Sequence, residues 1–124
     1  MVLKAKDMVA AANEVVERID AARAMELVEG GAVLLDIRDA PELEKTGAAI
    51  GSVHIPRGML EFRADPESPY HHEELRQDRP VVLHCASGGR AALAGKLLKD
   101  MGYAEVYNLG GLKDWVEGGG GTEG

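Results

Sequence analysis

The 124-residue chain contains a single cysteine, Cys85. That scarcity excludes a disulfide within the chain and any zinc site built from several cysteines, and it suits a reducing compartment. Basic side chains are also few. There are 14 Lys and Arg against 21 Asp and Glu, for a net charge of −7. Nucleic acids and anionic membranes bind basic surfaces, so neither is expected as a partner. No apolar run approaches the roughly 18 residues of a membrane-spanning helix. The opening stretch MVLKAKDMVAAANEVVERID lacks the continuous apolar core of a signal peptide, because Asn13, Glu14, Glu17 and Arg18 interrupt it. A cytoplasmic protein is the expectation. Neither an internal repeat nor a second domain is visible.

What is present reads as one soluble globular domain. With 45% hydrophobic and 28% charged residues, the chain can build one core without metal or disulfide staples. Residues 6–15, KDMVAAANEV, are amphipathic and predict a lead-in helix. VERI (16–19) suits an edge strand, and Asp20 is placed to cap a helix that stops at Gly30 and Gly31. The apolar run AVLLDIR (32–38) predicts a central strand, and Pro41 opens a short helix. AIGSVHIP (49–56) predicts a second strand, and 57–79 a short helix, a loop and another short helix. PVVLH (80–84) is a third buried strand, AALAGKLLKDMG (91–102) a helix, AEVYNL (104–109) a fourth strand and GLKDWVEG a closing helix. This order predicts an α/β fold, a central mostly parallel sheet flanked by helices on both faces. The lead-in helix occupies 1–15 and the domain 16–117. The glycine-rich tail, 118–124, is expected to be disordered.

The lone cysteine lies in HCASGGR (84–90), at the carboxyl end of a buried strand and just before a helix. Ligands of open α/β sheets bind at that end of the strands. Ala86, Ser87, Gly88 and Gly89 are small, and paired glycines let backbone N–H groups turn inward into an anion-binding nest. The helix that follows adds the positive end of its dipole, and Arg90 adds a full charge. Such a loop favours the thiolate, which is the nucleophile. A core thiol is the bland reading of an isolated cysteine, and the Gly-Gly-Arg continuation argues against it. Cysteine-dependent phosphatases and arsenate reductases enclose a tetrahedral oxyanion, and the phosphatase loop is one residue longer than this one. The four residues between Cys85 and Arg90 make a smaller nest, matched to one bound sulfur atom.

Four segments in register carry a family resemblance: LLDIRDAPEL (34–43), GAAIGSVHIP (47–56), HCASGGR (84–90) and NLGGLKDW (108–115). The chain resembles the rhodanese-homology domains, the sulfurtransferase superfamily, over roughly 16–117. The resemblance implies that Cys85 is the catalytic nucleophile and forms a persulfide. It implies that the backbone of Ala86, Ser87, Gly88 and Gly89 cradles the sulfur, and that Arg90 helps hold an anionic donor. The expected partners are a small sulfur-containing anion such as thiosulfate as donor, and a thiol, cyanide or a carrier protein as acceptor. No cofactor and no metal are called for, and a sulfite or thiolate leaving group needs no general acid. A relay or binding module with little turnover of free donors shares these signatures and stays open. Ala86 stands where thiosulfate-using members often carry a basic residue. Ala48 and Ile50 replace the histidine and proline of the family's Gly-His-Ile-Pro-Gly segment.

Other polar residues have plainer readings. Asp36 and Arg38 are expected to be a structural pair near the site. Arg57 and Arg63 either line the pocket mouth or are ordinary solvated arginines. His84 precedes the nucleophile, but strand side chains alternate, so it should point away from Cys85. His71, His72, Glu73 and Glu74 read as a solvated loop rather than a metal site. Trp115 and Met101 are expected in the core.

Overall fold

The computed structural model describes residues 2–124. Helix α1 (Ala5–Val15) leads in, followed by β1 (Glu17–Arg18), α2 (Ala21–Glu29), β2 (Val33–Asp36), α3 (Ala40–Thr46), β3 (Ala48–Ala49) and β4 (Val53–His54). A 3-10 turn (Arg57–Met59) runs into α4 (Leu60–Ala64). Then come β5 (Val81–Cys85), α5 (Gly89–Asp100), β6 (Val106–Gly111), α6 (Leu112–Glu117) and β7 (Thr122–Glu123). Asp20 caps α2 as expected, its carboxylate accepting the Arg23 amide at 2.9 Å. The main sheet has the order β1-β6-β5-β2-β4, and every pair is parallel.

Alternation along the central strands divides the core into two layers. Leu35, Leu83 and Cys85 face a layer with Leu60, Ala64, Leu98 and Tyr103. Leu34 and Val82 face the opposite layer with Ala24, Leu109, Leu112 and Trp115. Helices therefore cover both faces of the sheet, as the strand–helix alternation predicts. Trp115 is buried, and Met101 is half-buried against the first layer. The Tyr103 hydroxyl donates to the Ala64 carbonyl at 2.7 Å, tying α4 to the chain after α5.

Three expectations need correction. The strand expected over 49–56 is two strands in different sheets. A turn closed by the Ser52 amide on the Ala49 carbonyl reverses the chain, so Ala48–Ala49 pairs antiparallel with β7 and Val53–His54 joins β2. The second short helix expected before residue 79 is absent, and turns take its place. Pro66 and Pro69 donate no amide there. The side chains of Asp65, Ser68 and His72 capture the amides of Glu67, Tyr70 and Glu74, a local alternative to helical bonding. The tail is not disordered. Gly121 carbonyl accepts from the Trp115 indole at 2.9 Å and from the Ile50 amide at 2.9 Å, which sets Thr122 and Glu123 beside β3.

Candidate active site

Cys85 ends the middle strand of the sheet, opposite Gly111 of β6. The chain turns through exposed Ala86 and Ser87 and enters α5 at Gly88. Gly88 has φ +107, in the left-handed region that only glycine adopts without strain. That conformation aims its amide back at the thiol, and the Gly88 N–H donates to Cys85 Sγ at 3.0 Å. The first-turn amides of α5 have no carbonyl one turn earlier to bind, so they are free to meet an anion at the same end. Cys85 itself is only 1% exposed. The thiol is thus the floor of the site, under a loop that any ligand meets first.

A side chain that sequence reasoning passed over holds this loop. Between Leu83 and His84 the β5–β6 register slips, so that Leu83 faces Asn108 and His84 faces Gly110. Buried Asn108 uses both ends of its amide: Nδ2 donates to the Gly88 carbonyl at 3.0 Å, and Oδ1 accepts the Gly110 amide at 2.8 Å. The visible trace is an asparagine followed by Leu-Gly-Gly at the end of a strand. Gly111 completes the fit, since a Cβ there would collide with the Ala86 carbonyl.

Arg90 lies in the first turn of α5 as expected, but it is engaged. Its Nη1 and Nη2 each donate to a different oxygen of Glu42 in α3, both at 2.8 Å. Hydrogen bonds from Arg90 hold the Glu42 carboxyl down to about 2, and the same bonds raise Arg90 above its ordinary value. Glu42 also accepts the Asp39 amide, closing the N-terminus of α3.

Asp36 and Arg38 form the pair expected of them, and both are buried. Arg38 donates to Asp36 through Nε and Nη2, and reaches Thr46 Oγ1 and the Gly47 carbonyl, which fixes the end of α3. Burial pushes the Asp36 carboxyl up, but the Arg38 hydrogen bonds and the nearby His84 and Arg38 charges leave it below its usual range. His84 is fully buried and donates through Nδ1 to the Cys85 carbonyl at 3.4 Å, while its Nε2 has no hydrogen-bond partner. Burial lowers its pKa below the ordinary histidine value despite the nearby Asp36.

A mainly apolar groove of about 380 Å³ opens beside the loop, lined by Arg38, Thr46, Ala86, Leu112, Val116 and their neighbours. Arg57 pairs with Glu61 at 3.0 Å instead, and Arg63 lines a separate groove with His71, His72 and Glu73. His71 bonds the Leu75 carbonyl. Among the described residues, no three His, Cys, Asp or Glu side chains come together to hold a metal ion.

The loop, its strand and the layered sheet recur in known proteins. The model of the Rhodanese-like domain matches residues 18–118. The chain belongs to this family. The rhodanese-like domain has sulfurtransferase relatives: the Thiosulfate sulfurtransferase GlpE of Ectopseudomonas mendocina is 34% identical over 100 residues, 80% of this chain and 84% of that protein. The Putative sulfur carrier protein YrkF of Bacillus subtilis is 35% identical over 84 residues, 67% of this chain. The match spans only 40% of YrkF's length, and 60% of a second, uncharacterized relative from the same organism. Two solved structures share the whole architecture. The polysulfide-sulfur transferase homodimer of Wolinella succinogenes is 32% identical with a TM-score of 0.75, covering 95% of this chain and 85% of that one. A Rhodopseudomonas palustris protein of unknown function, described as a possible tyrosine phosphatase, is 38% identical with a TM-score of 0.88, covering 99% of this chain and 96% of that one.

Proposed function

We propose that this rhodanese-like domain transfers a sulfane sulfur through a persulfide on Cys85. The observation that carries the reading is the Gly88 amide donating to Cys85 Sγ at 3.0 Å, in a loop with four residues between Cys85 and Arg90. An amide in that position stabilises a sulfur anion both before and after transfer. The thiolate's electron pair attacks the outer sulfur of a donor such as thiosulfate. The new S–S bond forms as the donor's own S–S bond breaks, and sulfite departs with that bonding pair. Cys85 then carries R–S–S⁻, whose terminal sulfur the loop amides of residues 86–90 cradle. Cyanide or a thiolate, free or on a carrier protein, attacks the terminal sulfur and releases Cys85 as thiolate. No proton is required at either leaving group, which fits a loop without an acid.

Buried His84 does not act as base in this scheme, because its ring is directed at Asp36 and the Cys85 backbone. Asp36 and Arg38 position the end of α3 beside the loop. The phosphatase description of the Rhodopseudomonas structure gives a second reading the same thiolate, but the short loop offers less room for a phosphoryl group. Intact-mass analysis separates the two. Incubation with thiosulfate should add about 32 mass units, one sulfur atom, to Cys85, and Cys85→Ser should abolish the gain. Hydrolysis of p-nitrophenyl phosphate with no sulfur adduct from any sulfane donor would sink the proposal.

A further inference from the structure

The cations around Cys85 are matched with carboxylates. Buried Arg38 is spent on Asp36 at 2.8 Å, Arg18 beside the loop lies 3.7 Å from Asp114, and Lys113 on the groove rim lies 3.9 Å from Glu117. The last two pairs are exposed and loose. Arg90 is different: two parallel 2.8 Å contacts with Glu42 use the fork with which a guanidinium recognises a planar or tetrahedral oxyanion. Ala86, next to the nucleophile, contributes no charge. The walls of the adjoining groove are largely apolar, with Leu112 and Val116. A doubly charged donor entering here must displace Glu42 from Arg90 or settle beside it.

We propose that Glu42 is a specificity-determining residue, which holds Arg90 in a two-point ion pair and so disfavours dianionic sulfur donors relative to monoanionic ones. The inference rests on the sulfurtransferase reading above and refines its donor class. Glu42 does not touch the reacting sulfur. It sets how much of Arg90's charge a donor can use. Thiosulfate, a dianion, bears the full repulsion of the carboxylate. A monoanionic thiosulfonate, R–SO2–S⁻, bears less and places its R group against the apolar groove. Both deliver the same atom: Cys85 thiolate attacks the outer sulfur, the S–S bond breaks, and sulfite or sulfinate leaves with the electron pair.

The test compares thiosulfate with methanethiosulfonate, cyanide being the acceptor, in the wild type and in Glu42→Gln. Glutamine keeps a carbonyl oxygen for the Asp39 amide that caps α3, so the change removes charge rather than the cap. The thiosulfate KM is expected to fall about tenfold, and the methanethiosulfonate KM by no more than about threefold. A ratio of the two KM values that shifts less than about threefold, including both moving together in either direction, overturns the inference. Glu42→Asn, which likewise removes the charge, is judged by the same ratio if the glutamine variant does not fold. Failure of both donors to load sulfur onto wild-type Cys85 would instead remove the sulfurtransferase reading beneath it.

Discussion

Replacing Asn108 with alanine tests whether the loop is held from the sheet. The buried asparagine amide satisfies the Gly88 carbonyl at 3.0 Å and the Gly110 amide at 2.8 Å. Alanine leaves the Gly110 amide without its acceptor in a buried place, while the Gly88 carbonyl keeps the Ala92 amide at 2.9 Å. One stranded buried group costs about 1–3 kcal/mol, so a loss near 2 kcal/mol is expected. At about 2.1 cal/mol/K per residue, a domain of 124 residues should then melt about 8 °C lower. Activity should suffer separately, because the freed residue is the one whose amide holds Cys85 Sγ. Misplacing that donor should slow sulfur loading about ten- to a hundredfold, somewhat less than outright deletion of an oxyanion donor. Urea unfolding gives the first quantity, and the time course of the Cys85 mass gain gives the second. Asn108→Asp sharpens the test, since it can still accept from Gly110 but sets a carboxylate oxygen against the Gly88 carbonyl. It should do no better than alanine. An alanine variant within 1 kcal/mol of wild type by urea unfolding, loading sulfur at the wild-type rate, would refute the clamp.

Two further outcomes follow from the same structure. Glu42 has its pKa depressed from 4.5 to about 2 in the fold, so the ion pair's stabilisation is fully present above about pH 4.5 and is lost as pH falls toward 2. Solvent screens this pair, whose side chains are about one-third exposed, and limits the effect to about 1 kcal/mol; a stability gap between wild type and Glu42→Gln that persisted unchanged at pH 2 would contradict it. Removing residues 118–124 takes away the Gly121 acceptor of the Trp115 indole and the partner of β3. Trp115 emission should shift to the red and the melting temperature should fall by several degrees, whereas an unchanged spectrum would show that the tail contributes no cover.

Much of this was readable in the residues. The strand–helix alternation predicts the parallel sheet because it depends on periodicity within short windows, and Asp20 before an amphipathic run is a local cap signal. The loop at Cys85 is equally local, since cysteine, glycines and helix start lie within HCASGGR. What escaped depends on distance along the chain. Glu42 and Arg90 are 48 positions apart, and nothing in either neighbourhood marks them as partners. Asn108 looked like one polar residue in a strand, because its role arises from a register slip in a ladder two strands must form together. The tail was misread for the opposite reason: its composition is that of a flexible segment, and its order comes from a tryptophan and an isoleucine elsewhere.

The placement of Cys85 on the middle strand also bears on how the site can move. β5 has hydrogen-bonded neighbours on both edges and apolar layers on both faces, so its opening free energy approaches that of the whole domain. The mouth of the site is made differently, largely from the six-residue α6 and from Thr46 next to β3, which is two residues long. Such elements open at much lower cost. The Cys85 thiol and the groove mouth therefore sit at opposite ends of the molecule's range of local stabilities. Under the proposed sulfur transfer, an acceptor would reshape the entrance while Cys85 Sγ stays fixed in the sheet.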